Sequence, residues 1–530
     1  MSKICAFILS SVISLTSVAQ TGSLLWQKCY GGSGADSARS VARTSDGGFM
    51  VAGVTYSNDG NVTGNHNPSG NFSDVWVIKL DPSGTLLWQK AYGGSNVDEA
   101  NSIFATSDGG AVITGWTESN DGDVTGLHGA AGSFADVWVL KIDSTGGIEW
   151  QKALGGSKND YGQSVKQTTD GGFIVAGITY SNDNDVSGNH DTTGATQDVW
   201  VVKLDQSGTL QWQKCYGGSK ADEAHWVDET LDRGYILTGE TYSNDGNVTN
   251  NFDPTGVYPD YWLLKLNANG ALVWQKCMGG TNYDQAYAVV QTTDSGYVMS
   301  GITKSNDWNV SNNHDVSHAT YDEWIVKANP LGNMEWQFCY GGSKNDFARG
   351  IRQTHTGNLI VTGSVNSYNG DVTNQHDNTG ATQDLWTLEL NANGFKQWEN
   401  CFGGTGNDAG FDVAEAEDDN FVEVGNTAST DGNVSGNHGS DDFWVIKVQS
   451  QHPVGINNVV ADDNFVTIYP NPASQTVTVN SSKADVPVVI TNTLGQIIIK
   501  ETITGHQKTI DLRALPVGIY FLNNLKLVKE

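Results

Sequence analysis

The strongest constraint on this fold is a pattern that recurs seven times at a constant interval of 62 residues. Each unit opens with a tryptophan that two glycines follow at a fixed offset, and a second tryptophan lies near its end. The opening tryptophans, 62 residues apart, are Trp26, Trp88, Trp150, Trp212, Trp274, Trp336 and Trp398. The second ones are Trp76, Trp138, Trp200, Trp262, Trp324, Trp386 and Trp444, with the last step four residues shorter than the others. Units of constant length share one local structure, so the repeat predicts an array of like elements rather than several unrelated domains.

Each unit has the pattern of four β-strands. In the second copy the predicted strands are Trp88–Tyr92, Asn101–Thr106, Ala111–Thr117 and Asp136–Ile142. An Asp-Gly turn within Ser107–Gly110 is typical of a tight hairpin between two of them. An Asx-x-x-Gly turn then joins the last strand of one unit to the opening tryptophan strand of the next, so these two strands form a hairpin as well.

The two ends of the array predict that it closes into a ring. The chain has only six of the joining turns for seven units, because Leu24–Tyr30 has no partner strand before it and Asp442–Val448 has none after it. Pairing these two strands would complete one sheet and hide two exposed edges. We therefore predict an all-β fold, a seven-bladed β-propeller of four-stranded blades whose last blade is closed by the N-terminal strand, with the strands around Val41 and its counterparts lining the central channel.

Composition and the N-terminus indicate an exported protein. The net charge is −30 and the pI about 4.5, which argues against nucleic acid as a partner because phosphate binding needs a basic face. Residues 1–19 resemble a signal peptide, with Lys3 before an apolar run that is too short to span a membrane. Later stretches are not apolar enough for a transmembrane segment. Five cysteines share one repeat position, where a small buried strand residue is favoured over disulfide pairing.

The repeat stops near Gln449, and a second domain follows. We assign residues 20–449 to the propeller, 450–464 to a polar linker and 465–530 to a small C-terminal β-sandwich. The motifs Tyr469–Ala473, Leu494–Gln496, Gly518–Leu522 and Lys526–Lys529 resemble the type A C-terminal sorting domain of the bacterial type IX secretion system. That resemblance implies that the type IX machinery is a partner of 465–530, that the domain is removed, and that the protein is secreted or attached to the outer surface. The 62-residue units also resemble propeller repeats of secreted proteins with such domains, a resemblance that implies fold and not function.

A polar loop after the third predicted strand offers oxygen ligands at alternate positions, as a calcium loop does. The candidate calcium ligands are Asp59, Asn61, Asp121, Asp123, Asp183, Asp185, Asp245, Asp307, Asp371 and Asp431. The alternative is that these side chains cap amides of their own loops, which is common in turn-rich proteins. Two further aspartates recur in every unit, as Asp36 and Asp74 in the first, and are expected to accept hydrogen bonds between blades rather than to form one active site.

Binding chemistry is expected where the repeat departs from its own symmetry. The candidate ligand-binding residues are His225, Trp226, Arg349, Arg352, Trp116 and Trp308, since exposed aromatic side chains with polar neighbours suit a sugar or a peptide. The alternative is drift within a tolerant repeat. Two functions stay open: a non-enzymatic protein that binds a glycan, protein or other surface ligand, and a polysaccharide hydrolase or lyase with its site at the channel mouth. An enzyme requires unique acid–base residues that cluster at one end of the channel.

Overall fold

The computed structural model describes residues 22–67, 69–416, 420–450, 466–469, 473–481, 486–492, 497–505, 507–522 and 525–529. It divides the chain into two compact units, Met1–His452 and Pro453–Glu530. The predicted signal peptide and residues 451–464 of the predicted linker lie outside the described residues. Every regular element within the described ranges is a β-strand, in agreement with the all-β prediction.

The strands of the first unit follow one another with regular spacing. They are β1 (Ser23–Tyr30), β2 (Asp36–Arg43), β3 (Phe49–Thr55), β4 (Asp74–Leu80), β5 (Leu86–Tyr92), β6 (Asp98–Ala105), β7 (Ala111–Thr117), β8 (Asp136–Ile142), β9 (Ile148–Leu154), β10 (Asp160–Gln167), β11 (Phe173–Thr179), β12 (Asp198–Leu204), β13 (Leu210–Tyr216) and β14 (Asp222–Glu229). They continue as β15 (Tyr235–Thr241), β16 (Asp260–Leu266), β17 (Leu272–Met278), β18 (Asp284–Gln291), β19 (Tyr297–Thr303), β20 (Asp322–Ala328), β21 (Met334–Tyr340), β22 (Asp346–Gln353), β23 (Leu359–Val365), β24 (Asp384–Leu390), β25 (Lys396–Phe402), β26 (Asp408–Glu415), β27 (Phe421–Thr427) and β28 (Asp442–Gln449).

These strands form seven four-stranded antiparallel sheets, which we call blades 1 to 7. Blades 1 to 6 take β2–β5, β6–β9, β10–β13, β14–β17, β18–β21 and β22–β25, each in sequence order. Blade 7 has the order β1-β28-β27-β26, and β1 pairs with β28 from Ser23 opposite Gln449 to Tyr30 opposite Phe443. The predicted closure of the last blade by the N-terminal strand is confirmed.

The first strand of each blade lies innermost. It contacts the first strands of both neighbouring blades, and contacts between β2 and β26 complete the circle. The unit is therefore a seven-bladed β-propeller, and β2 and its counterparts line the channel as predicted. We call the end that carries the 56–73 loop and its counterparts the loop face, and the end that carries the 44–48 hairpin and its counterparts the hairpin face.

The repeated Trp-Gln motif ties the two outer strands of each blade together. Trp76 on β4 is fully buried, and its Nε1 donates to Oε1 of Gln89 on β5 at 2.8 Å. In blade 7 the same bond runs from Trp444 on β28 to Gln27 on β1 at 3.1 Å. Burial of the indole supplies apolar free energy while its one donor stays satisfied. In blade 6 a glutamate replaces the glutamine, and Trp386 Nε1 donates to Glu399 Oε2 at 2.7 Å.

A β-bulge in each inner strand determines which side chains enter the channel. The register between β2 and β3 shifts between Ala38 and Ser40, and the same shift recurs in the other six blades. A bulge leaves one residue unpaired and redirects the strand. As a result the successive side chains of Arg39 and Ser40 both line cavities in the channel.

The second unit contains two small sheets around one core. Its strands are β29 (Val466–Tyr469), β30 (Thr476–Ser481), β31 (Val486–Asn492), β32 (Ile497–Ile503), β33 (Gln507–Asp511), β34 (Gly518–Leu522) and β35 (Leu525–Lys529). The orders are β29-β30-β33 and β32-β31-β34-β35. Buried side chains from both sheets, such as Val477, Ile490 and Leu522, share one apolar cluster.

Candidate functional site

Two aspartates in each blade are buried at the loop face and hold the repeat together. Asp36, at the start of the inner strand, accepts hydrogen bonds from the hydroxyls of Thr55 and Ser57. Asp74, at the start of the third strand, has its Oδ2 2.7 Å from His66 Nδ1. These aspartates are acceptors as expected, but their side-chain donors lie in the same blade rather than in the next one. The Oδ1 of Asp74 and of its counterpart in every other blade has no hydrogen-bond partner among the described residues.

The two kinds of aspartate face each other where blades meet. A Cβ on Gly93 would lie 2.6 Å from Asp98 Oδ2 and 2.8 Å from Asp74 Oδ1, so only glycine fits between the two carboxyl groups. Burial raises the pKa of Asp98 to about 7 against the effect of its hydrogen bonds, and the nearby Asp74 carboxylate adds to the rise. The repeated Gly-Gly pair is therefore a packing requirement of the blade interface.

The candidate calcium ligands lie in the loop between the second and third strands of each blade. Asp59 Oδ1 accepts from the Ser33 amide at 2.7 Å, and Asn61 Oδ1 accepts from the Gly31 amide at 3.2 Å. The same kind of amide bond is made by Asp121, Asp123, Asp183, Asp185, Asp245, Asp307, Asp371 and Asp431. These bonds connect each loop to the turn that leads into the same blade. Calcium binding by the loops stays a prediction.

A hydrogen bond between inner strands is interrupted on three consecutive blades. Ser40 Oγ accepts from the amide of Ile103 at 3.3 Å, and Ser102 and Ser164 make the same bond to the next blade. The residues at this position in blades 4, 5 and 6 are Trp226, Ala288 and Gly350. None of them offers a side-chain acceptor, so the seven-fold pattern of the channel is broken on this side.

Trp226 separates the two ends of the channel. Its ring packs against the apolar cluster that includes Ala288, and it lines both a cavity of about 160 Å³ toward the loop face and one of about 190 Å³ toward the hairpin face. Arg352 lies 4.6 Å and Lys166 5.3 Å from the centroid of its ring system. The Trp226 Nε1 is buried and has no hydrogen-bond partner among the described residues.

The cations on the hairpin side of Trp226 have carboxylate partners. Arg352 lies 2.9 Å from Asp412, which is 2% exposed on its side chain, and Lys166 lies 3.8 Å from Asp228. Burial lowers the pKa of Lys166. This end of the channel is therefore internally compensated in charge.

The cavity toward the loop face is different, because one of its cations lacks a partner. Besides Trp226 it is lined by the seven residues of one repeat position, Arg39, Asn101, Gln163, His225, Tyr287, Arg349 and Phe411. The Arg349 guanidinium lies 4.9 Å from the Phe411 ring centroid and 5.1 Å from that of Tyr287. Its Nε is buried without a hydrogen bond, and no carboxylate of the described residues pairs with it. Burial lowers the pKa of Arg349.

Glu223, His225 and Glu240 form an acid–imidazole cluster at the same mouth. Glu223 and His225 lie on β14, and Glu240 stands opposite Glu223 on β15. One side-chain N or O atom from each residue lies within 4.8 Å of those of the other two. Glu240 is 3% exposed, and burial raises its pKa well above the ordinary value, with the Glu223 charge adding to the rise. Gln197 Nε2 donates to Glu223 Oε1 at 2.6 Å.

Blade 5 supplies the polar groups around this cluster. Gln285 Nε2 lies 3.1 Å from His225 Nε2, and the Tyr283 hydroxyl lies 3.4 Å from Glu240 Oε2. The Tyr287 hydroxyl donates to Gln285 Oε1 at 2.8 Å. The cluster is thus oriented by neighbours that are themselves fixed.

The structure brings together some predicted ligand-binding residues and separates others. His225, Trp226 and Arg349 line the loop-face cavity, whereas Arg352 lies beyond Trp226. Trp116 packs edge-on against Tyr161 at 5.5 Å and lines neither channel cavity.

Trp308 lies in the loop of blade 5 between β19 and β20. It is 72% exposed and packs on Phe252 of the neighbouring blade at 5.6 Å. Its φ of 49° occurs where the first unit has Gly60, so an exposed aromatic side chain is held there at a backbone cost of about 1–3 kcal/mol.

Sequence reasoning missed several residues of the site. They are Arg39, Glu223, Glu240, Tyr283, Gln285 and Tyr287. Glu240 could have been singled out from the sequence, because the same position in the neighbouring units holds the apolar residues Ile178 and Ile302. Tyr283, Gln285 and Tyr287 had no such signal, since they come from a different blade.

A further cavity, of about 630 Å³, lies away from this chemistry. It is a groove on the loop face of blade 1 lined by Ser33, Ser57, Asp59 and their neighbours. These polar groups are part of the repeated framework and bond to one another or to backbone amides. Its size therefore does not make it the functional site.

Comparison with known proteins assigns the C-terminal unit. Residues 467–526 match the family model of the secretion system C-terminal sorting domain. This unit is a sorting domain. A sorting domain of the type IX system implies a secreted or outer-surface location and contact with the secretion machinery. None of the elements in the described ranges is a helix long and apolar enough to cross a membrane.

The remaining likenesses are distant. The regulatory protein FlaEY of Caulobacter vibrioides is 26% identical over 303 residues, which are 56% of this chain and 30% of that protein. An uncharacterised WD repeat-containing protein of Acanthamoeba polyphaga mimivirus is 20% identical over 476 residues, 70% of this chain and 33% of its own length. The chain thus spans about a third of each relative. The WD40 domain of Neurospora crassa Pan2 is 8% identical over 82% of this chain and 97% of its own, with a TM-score of 0.44.

Proposed function

We propose that this exported propeller binds an acidic glycan at the loop-face mouth of its channel, without catalysis. The observation that carries the proposal is the Arg349 guanidinium, enclosed by the Tyr287 and Phe411 rings and without a carboxylate partner among the described residues. A buried charge without a counter-ion is costly. A ligand carboxylate or sulfate would pair with the Arg349 guanidinium through two parallel hydrogen bonds, the arrangement that arginine favours.

The rest of the cavity suits a sugar. The Arg39 guanidinium lies 5.7 Å from the Phe411 ring centroid and 4.0 Å from the Glu99 carboxylate. Tyr287, Phe411 and Trp226 offer apolar faces. The volume of about 160 Å³ is below the range of pockets that enclose drug-sized ligands, about 300–1,000 Å³. We infer that one terminal sugar unit enters and stops at Trp226.

We also propose how the chain is processed. Residues 1–19 would direct export across the inner membrane, and residues 465–530 would direct passage across the outer membrane and then be removed with the linker 450–464. The matched sorting domain supports this order. The mature binding protein would then be the propeller, residues 20–449.

Binding of acidic oligosaccharides tests the function directly. The full chain is screened against uronate-containing, sulfated and neutral oligosaccharides on a glycan array, and hits are measured by calorimetry. Arg349→Gln, which installs the residue of Gln163 at the same repeat position, should weaken acidic ligands at least tenfold because a charge-assisted pair is lost. Arg43→Gln makes the same charge change on the hairpin side, as in Gln167, and should leave affinity unchanged. Equal effects of the two variants would contradict the proposal.

A polysaccharide hydrolase or lyase is the second candidate. It is favoured by the gathering of Glu223, His225, Glu240 and Tyr283 at the same mouth, since an enzyme requires acid–base groups that cluster at one end of the channel. The bound polysaccharides are incubated with the full chain and assayed for new reducing ends and unsaturated products. Product that Glu240→Ile abolishes would replace the non-enzymatic proposal, whereas binding without product would support it.

A further inference from the structure

We propose that Glu223, His225 and Glu240 bind one divalent metal ion of the zinc or manganese class. This goes beyond glycan binding and does not depend on it. Their three candidate ligand atoms already lie within 4.8 Å of one another. A metal with bonds of about 2.1 Å needs its ligands within roughly 4.2 Å of each other, so small side-chain rotations complete the site.

The fold itself brings the three ligands to one side of blade 4. Glu223 and His225 are two residues apart on β14, where the bulge after Ala224 redirects the strand, and Glu223 Oε2 lies 3.8 Å from His225 Nε2. Glu240 stands directly opposite Glu223 on β15 in the antiparallel ladder, where side chains of facing residues are neighbours. Rigid strands rather than a loop hold this site.

The donor set selects the class of ion. Calcium takes oxygen ligands, six to eight of them, whereas an imidazole with carboxylates suits zinc and its first-row neighbours. Three protein ligands leave at least one coordination position for water or a ligand group. Because His225 also lines the loop-face cavity, this open position would face the space where the ligand enters.

Glu240 supplies an independent reason to expect a cation. It is 3% exposed, and its single hydrogen bond is a long one of 3.4 Å from Tyr283. The same position in the other blades holds Val54, Trp116, Ile178, Ile302, Ser364 and Asn426. A carboxylate that is buried with one weak donor carries a desolvation cost, which a bound cation would offset.

The neighbours of the three residues are the kind that orient metal ligands. Gln197 donates to Glu223 Oε1 at 2.6 Å, which leaves Oε2 toward His225 at 3.8 Å. Gln285 contacts His225 Nε2 at 3.1 Å and would turn its amide when Nε2 binds a metal. Such partners fix ligand geometry, and their loss costs metal affinity.

Calorimetry on the full chain tests the site after treatment with a chelator. Titration with zinc chloride and with manganese chloride should give one ion per chain. Glu240→Ile and His225→Gln, which copy Ile178 and Gln163 from other blades, should each weaken binding at least tenfold. Asp121→Asn, which copies Asn369 in a candidate calcium loop, should leave affinity and stoichiometry unchanged. X-ray absorption of the loaded protein should show nitrogen and oxygen ligands without sulfur.

The outcomes separate this proposal from its alternatives. Unchanged affinity in Glu240→Ile, sulfur among the ligands, or several ions per chain that Asp121→Asn reduces would each overturn it. Glu240→Ile should melt no lower than the wild type without metal, so weakened binding cannot be ascribed to unfolding. Arg349→Gln should keep the metal while it loses the acidic glycan, so failure of one proposal is distinguishable from failure of the other.

Discussion

At the scale of single residues, the hydrogen-bond partners of two buried glutamates decide how much each one lowers the free energy of unfolding. Glu423 accepts hydrogen bonds from the hydroxyls of Thr362 and Thr387. Glu323 is fully buried, and neither of its oxygens has a partner among the described residues. Burial raises the pKa of Glu323 well above the ordinary value. Both look alike in the sequence, because each replaces an apolar residue of the repeat, and their partners could not be predicted from one chain.

Glu323→Leu should therefore stabilise the propeller. The variant copies Leu385, the residue at the same position of blade 6, and removes a buried carboxyl group without partners. We expect the free energy of unfolding to rise by about 1–3 kcal/mol, measured by urea denaturation. Glu423→Leu is the matched control and should gain less, because two threonine hydroxyls lose their acceptor. A lower urea midpoint for Glu323→Leu would contradict this account.

At the scale of strands, the sequence predicted what the repeat period and the turns encode. Ala111–Thr117 and Asp136–Ile142 begin and end as predicted. The inner strand of the same unit was predicted to start at Asn101 but starts at Asp98. Asp98 belongs to the strand because its carboxyl group is buried and accepts hydrogen bonds from the hydroxyls of Thr117 and Ser119. The burial of a polar side chain at a strand end could not be predicted from its residue type. The bulge was equally hidden, because it breaks the period-two pattern that marks strands.

Ring closure predicts that β1 can act as a separable strand. A chain without Ser23–Tyr30 should leave β28 as an exposed edge and aggregate. A synthetic peptide of residues 23–30 should restore a soluble monomer by adding the missing strand, measured by light scattering and fluorescence anisotropy. A peptide with Gln27→Ala should bind about fivefold more weakly, because it loses bonds to Trp444 and Ser435. Equal rescue by a scrambled peptide would contradict the role of this register.

At the scale of the whole molecule, buried carboxyl groups at the blade interfaces decide the response to pH. Burial raises the pKa of Asp98, Asp160, Asp284 and Asp346 to about 7. A carboxyl group whose pKa is higher in the folded state than in the unfolded chain, where it is about 3.9, stabilises the fold. This contribution to the free energy of unfolding is complete below about pH 3.9 and is lost as the pH rises to about 7. On the hairpin face, hydrogen bonds outweigh partial burial and lower the pKa of Asp46 to about 2. That contribution is full above about 3.9 and is lost as the pH falls to 2.

The propeller should therefore melt at a higher temperature at pH 5 than at pH 8, measured by calorimetry. Asp74 Oδ1 has no hydrogen-bond partner among the described residues and faces the Asp98 carboxylate. Asp74→Asn should reduce the difference in melting temperature, because the asparagine amide can donate a hydrogen bond to that carboxylate. We expect a gain of about 1 kcal/mol at pH 8 and little change at pH 5. Asp59→Asn removes one charge from an exposed loop and controls for relief of the −30 net charge. If Asp59→Asn raised the melting temperature at pH 8 as much as Asp74→Asn, general repulsion rather than the paired carboxyl groups would explain the profile. A wild type that melts higher at pH 8 than at pH 5 would exclude both explanations.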